Sequence, residues 1–89
     1  MEIPKLKVLV EAGAVRAVEA AYRPEAAGWI VTLTYASRRG EQGAALERQR
    51  GGLRVFATLD AVARALAGAG LSAFQVHIAG LAGAEAEPP

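Results

Sequence analysis

The run "GWIVTLTYAS", residues 28–37, constrains the fold of this chain more than any other stretch. Trp29, Val31, Leu33 and Tyr35 alternate with Ile30, Thr32, Thr34 and Ala36, and β-branched and aromatic types dominate. A period of two with those residue types is a strand. Its odd-numbered side chains are the expected core face, and the threonine face is the wetter one. Such a strand needs others to pair with and a second layer to cover its apolar face. The material for that layer is limited. The chain has 89 residues, and 21 of its apolar residues are alanine, leaving 26 larger side chains to build a core. That is enough for one two-layer domain, but not for a core plus a deep apolar ligand pocket.

The remaining elements follow from shorter signals. In "IPKLKVLVEAGAV", Pro4 suits the first helical position, and Leu6, Leu9 and Val10 share a face. Gly13 is placed to end that helix. Residues 15–22, "VRAVEAAY", read as a strand, with a continuing helix as the competing reading because the alanines blur the period. "RPEAAGW" is a turn in which Pro24 fixes one backbone angle and Gly28 supplies a flexible one. "RRGEQG" has the composition of a hairpin turn, "AALERQR" is either a returning strand or a helical turn, and "LRVF" is a short strand. In that strand Leu53 and Val55 should face one way, Arg54 and Phe56 the other.

"TLDAVARALAGAG" is the best helix. Thr58 is its N-cap and Asp60 complements its dipole. Leu59, Val62, Ala63 and Leu66 form its apolar stripe, and Gly68 or Gly70 closes it. "LSAFQVHI" is a last strand with Phe74, Val76 and Ile78 inward and Gln75 and His77 outward. The order α-β-β-β(-β)-α-β predicts an α+β fold, a small antiparallel sheet of three to five strands with two helices packed on one face. One domain should span residues 1–80, followed by a flexible acidic tail over 81–89.

The chemistry visible in the residues is sparse. There is no cysteine, hence no disulfide, thiolate metal site or cysteine nucleophile, and His77 is the only histidine. No Ser, Cys or Asp stands near His77 in sequence, so an exposed strand residue is favoured over a catalytic base. The glycine runs lack the Gly-Lys-Ser/Thr ending of a phosphate loop. Asp60 is explained by helix capping. These absences predict a non-enzymatic protein with no metal and no cofactor. Glu2, Lys5, Lys7 and Glu11 interrupt any early apolar run. A cytoplasmic protein without membrane contact is therefore expected.

One segment carries functional promise. Arg38, Arg39, Arg48, Arg50 and Arg54 hold half of the ten Lys/Arg residues, against only Glu41 and Glu47 in the same span. The net charge of +1 gives no global attraction to polyanions, so any footprint depends on how these arginines are placed. On one β-ribbon, four guanidinium groups could line an edge and meet phosphate through their bidentate forks. The other reading is a solvated hairpin, because no aromatic residue is interleaved to stack on a base. The helix-strand-helix outline is shared with double-stranded-RNA-binding domains, but "TLDAVARAL" lacks their lysine cluster, and no RRM-type aromatic strand is present.

Taken together, "LVEAGAVRAVEA", "GWIVTLTY" and "RQRGGLRVFATLDAVARALAGAGLSAFQVHIAG" resemble the ParC-family partition-associated proteins. These are small accessory proteins encoded on plasmids and integrative conjugative elements. The most characteristic matching positions are Arg54, Phe56, Thr58, Leu59, Asp60, Gly70, Phe74 and Val76. The resemblance implies an accessory role in partition or maintenance of a mobile element, acting through protein–protein contacts with partition-complex proteins. It carries over no catalytic residue, and marks Leu59, Asp60, Gly70 and Phe74 as fold-specifying. Direct DNA binding by the Arg38–Arg54 ribbon is the alternative expectation. Short edge strands and a small core also make a homodimer an expected partner arrangement.

Overall fold

A computed structural model of the chain describes residues 1–85, with side chains described through residue 82. Helix α1 (Ile3–Glu11) leads into β1 (Val15–Arg23), and a 3-10 turn (Pro24–Ala26) connects β1 to β2 (Gly28–Ser37). Then come β3 (Gly40–Ala45), α2 (Leu59–Gly68), β4 (Gln75–His77) and α3 (Ala79–Glu85). The α+β class and element order agree with the sequence reading, and residues 15–22 are strand rather than helix. The sheet has four strands in the order β3-β2-β1-β4. It is mixed rather than wholly antiparallel, because β4 joins β1 in parallel. The chain between β1 and β4 returns through α2, and a crossover of that length is what a parallel neighbour requires.

The register explains which residues are buried. Val18 pairs with Leu33, Ala20 with Val31 and Tyr22 with Trp29, so even positions of β1 and odd positions of β2 share a face. Those residues join Leu6 of α1, Val62 and Leu66 of α2, and Leu46, Phe56 and Ala69 in one core. Trp29 and Tyr22 stack edge to face with ring centroids 5.4 Å apart. The stripe of α2 runs through Leu59, Val62, Leu66 and Ala69, while Ala63 is exposed. Both longer helices end alike. Gly13 and Gly70 take left-handed φ values of +68° and +99°. In each case the following residue donates its N–H back into the last turn, Ala14 to Leu9 and Leu71 to Leu66. These are Schellman closures, and Gly70 rather than Gly68 supplies the one in α2.

Thr58 caps α2 as expected, its hydroxyl accepting from the Ala61 N–H at 3.1 Å. Thr58→Ala should cost about 1 kcal/mol, read as a lower denaturation midpoint, whereas Thr58→Ser should keep most of the cap.

Several expectations are corrected. The flexible residue of the β1–β2 turn is Ala27, with φ +52°, and not Gly28. Gly28 instead opens β2 at a close approach to the Phe56 backbone and the Val55 side chain. Val76 and Ile78, expected inward, are 36% and 62% exposed. Val76 does lie in the core-facing row, opposite Ala20, but β4 is a three-residue edge strand with a neighbour on one side only. Residues 79–85, read as the end of the domain and the start of a tail, form α3. That helix packs on β1, with Leu81 partly buried against the core and Gly80 in contact with the Tyr22 carbonyl. The rest of the expected tail, 86–89, lies outside the described residues.

Candidate functional site

The arginines of the alternative, DNA-binding reading do not share one ribbon. β3 ends at Ala45, and Leu46 closes the ladder by donating its N–H to Val31 at 2.8 Å. The chain then leaves the sheet. Glu47 and Leu53 bridge across a tight turn at residues 48–52, with Gly51 and Gly52 at φ +86° and +84°. Pairing with β2 resumes at Phe56, which exchanges hydrogen bonds with Trp29 at 2.7 and 2.8 Å. Residues 47–53 are therefore an excursion between two stretches that pair with the same strand. "LRVF" is not the short strand expected, since only isolated bridges at Leu53 and Phe56 hold it, but its side chains alternate as expected, with Leu53 and Val55 exposed and Phe56 buried.

This topology separates the cations. Arg38 and Arg39 form the two-residue turn between Ser37 and Gly40, a tighter hairpin than "RRGEQG" suggested. The Ser37 hydroxyl holds the turn, accepting from the Arg39 N–H at 3.1 Å and donating to the Gly40 carbonyl at 2.9 Å. Arg48 and Arg50 stand on the excursion, at the level of Val31. Six residues of β2 separate the two groups, about 20 Å of extended strand. Arg54 belongs to neither, because its guanidinium carbon lies 4.5 Å from the centroid of the Phe56 ring. That cation–π contact makes Arg54 part of the packing. Within one copy, then, Arg38 and Arg39 are brought together, as are Arg48 and Arg50, but the two pairs are not.

His77 has a neighbour the sequence reading missed. Its Nε2 lies 3.0 Å from Glu19 Oε2, with both side chains roughly half exposed. The contact crosses the parallel β1–β4 pairing, where Glu19 is level with Gln75 and Ala21 with His77. Fifty-eight residues of separation hide such a pair from sequence spacing. The pair sits on the face of the sheet opposite the core. That face presents Ala17, Glu19 and Ala21 from β1 and Ile30, Thr32, Thr34 and Ala36 from β2, continued by Glu41, Gly43 and Ala45 of β3. Its side chains are mostly small, and no helix core residue lies on it. A hollow of about 330 Å³ at one end of it is lined by Arg23, Glu25, Ile30, Thr32, Ala45 and Leu53.

The positions that carried the family resemblance have structural duties here. Thr58 caps α2, Gly70 closes it, Leu59 and Phe74 are half-buried against the core, and Phe56 is in it. No helix among the described residues is long and apolar enough to cross a membrane. Comparison with curated proteins and with solved structures found no match. A family model described as ParC-like matches residues 1–83, which include every element of the sheet and both capped helices. By that match the chain belongs to the ParC-like family.

Proposed function

We propose that this protein is a non-enzymatic accessory of partition or maintenance of a plasmid or conjugative element, acting through protein–protein contacts. The family match over residues 1–83 carries the reading. The sheet face opposite the core supports the contact half of it: small alanine, threonine and glycine residues keep its middle flat, Ile30 is buried at one end, and Glu19, His77 and Glu41 supply polar groups along it. An affinity-tagged chain expressed with its own mobile element should retain a partition ATPase or a centromere-binding protein. Recovery of neither would count against the proposal.

Direct DNA binding is the second reading, favoured by one observation. Arg38, Arg39, Arg48 and Arg50 are exposed and form no ion pair among the described residues. It predicts binding of duplex DNA in fluorescence anisotropy at low salt. With four phosphate contacts the slope of log K against log salt would be about −3 to −4. Replacing all four by alanine should abolish the signal. No binding by the unaltered protein at low salt rejects this reading.

A further inference from the structure

We infer that the turn at residues 48–52 is a processing site: an arginine-directed serine endoprotease hydrolyses the Arg50–Gly51 bond, and the two pieces stay together as one folded body. The inference goes beyond both functional readings and depends on neither. Residues 47–53 are all exposed and lie outside the strands and helices. Three contacts shape the turn. Arg48 donates its N–H to the Gly52 carbonyl at 2.9 Å, its own carbonyl accepts from the Gly51 N–H at 3.0 Å, and Glu47 bridges to Leu53. Among the described residues no backbone hydrogen bond holds Gln49 or Arg50. A protease takes its substrate as an extended chain, so cleavage falls where a few residues can leave their fold at low free energy. Opening this turn gives up two hydrogen bonds and one bridge. No core side chain needs to move, because Leu46 and Phe56 flank the excursion from outside it.

Charge alone does not select this bond, since the chain has ten Lys/Arg residues. Backbone setting does. Lys5 and Lys7 lie in α1, Arg64 in α2, and Arg16 and Arg23 in β1. Arg38 and Arg39 are exposed, but the Ser37–Gly40 pair and two hydrogen bonds of the Ser37 hydroxyl close their two-residue turn. Extending that turn means unzipping the β2–β3 ladder. Arg54 stacks on Phe56 and donates its N–H to the Leu46 carbonyl at 3.0 Å. Arg48 and Arg50 remain, and they differ. The Arg48 guanidinium lies against Gly52, where a Cβ would stand 2.9 Å from its Nη2. Arg50 is exposed, forms no ion pair among the described residues, and is followed by two glycines. The acidic specificity pocket of a trypsin-like enzyme accepts its guanidinium, and Gly51 and Gly52 let the protease backbone come close.

Water adds across the bond, leaving a carboxylate on Arg50 and an ammonium group on Gly51. Both new charges stand in an exposed turn, so neither is buried by the cut. The piece ending at Arg50 keeps α1 and β1 to β3, and the piece beginning at Gly51 keeps α2, β4 and α3. The core is shared between them: Val18, Val31 and Leu33 belong to the first piece, Phe56, Val62 and Leu66 to the second. Both Trp29–Phe56 hydrogen bonds and the β1–β4 pairing also join the two pieces. Hydrolysis thus removes a tether and leaves the packing in place.

Trace trypsin acting on the folded full chain is the test, followed over time by intact-mass spectrometry. The first products should be one piece ending at Arg50 and one beginning at Gly51, accumulating before any smaller fragment. They should coelute in gel filtration, with the circular dichroism of the uncut chain. Replacing Arg48 and Arg50 together by glutamine should slow the first cleavage at least about tenfold. The denaturation midpoint of that variant should be unchanged. Digestion to small peptides without an accumulating pair overturns the proposal. So does a first cut after any other Lys or Arg, or separation of the two pieces in gel filtration.

Discussion

Leu66→Ala should lower the unfolding free energy by about 2–5 kcal/mol. Leu66 is 1% exposed and lies in the middle of the only long apolar stripe of α2. It packs in the same core as Val31, Leu33 and Phe56, so the truncation opens a void between helix and sheet. A chain of 89 residues has roughly 5–13 kcal/mol of stability in total. The loss is thus a large part of what is available. Urea denaturation followed by circular dichroism should show the midpoint falling with little change in slope. Arg64→Ala, two residues away on the exposed face, should stay within about 0.5 kcal/mol of the unaltered protein. An unchanged midpoint for Leu66→Ala would mean that α2 does not pack through this face.

What could be read from the residues, and what could not, divides along physical lines. The alternation from Trp29 to Tyr35, the Thr58 cap and the glycine closures at Gly13 and Gly70 are local, and local sequence determines them. The parallel entry of β4 is not local. "FQVHI" alternates like any strand, and nothing in its spacing says that it joins β1 at the edge, so Val76 and Ile78 were expected to be covered. The helix at Ala79–Glu85 was hidden by composition, since "AGLAGAE" has one large apolar residue and two glycines. Gly80 acts through close approach to the Tyr22 backbone, a role invisible until both segments are placed. The arginines show the same limit. Their clustering in sequence is compatible with one ribbon, but Arg48 and Arg50 lie on the 47–53 excursion, away from the Arg38–Arg39 turn. The signal for that excursion was present in Gly51 and Gly52, whose left-handed backbones turn the chain out of the sheet and back.

Gly28→Ala should be the most damaging single-methyl addition in the chain's β1–β2 region, destabilising by about 1–3 kcal/mol or more. The reason is proximity, not backbone freedom, for Gly28 is absent from the residues with positive φ. A Cβ at residue 28 would stand 2.7 Å from the Phe56 carbonyl oxygen and 2.5 Å from Val55 Cγ1. Val55 could rotate away, but the carbonyl oxygen is held: it accepts the Trp29 N–H at 2.7 Å. Relieving the clash means moving the 54–56 segment off β2, which loosens both Trp29–Phe56 hydrogen bonds and lifts the buried Phe56 ring from the core. Arg54, stacked on that ring, would move with it. Gly43→Ala is the matched control, because its Cβ meets only ordinary contact distance and should cost little. Amide hydrogen exchange separates the two possible outcomes. Selective loss of protection at Trp29 and Phe56 is expected for Gly28→Ala, with β3 protection retained. Retained protection at both amides, with an unaltered midpoint, would show that the segment carrying "LRVF" does not close against β2 as described. It would also remove the basis for treating residues 47–53 as an excursion rather than the continuation of one basic ribbon.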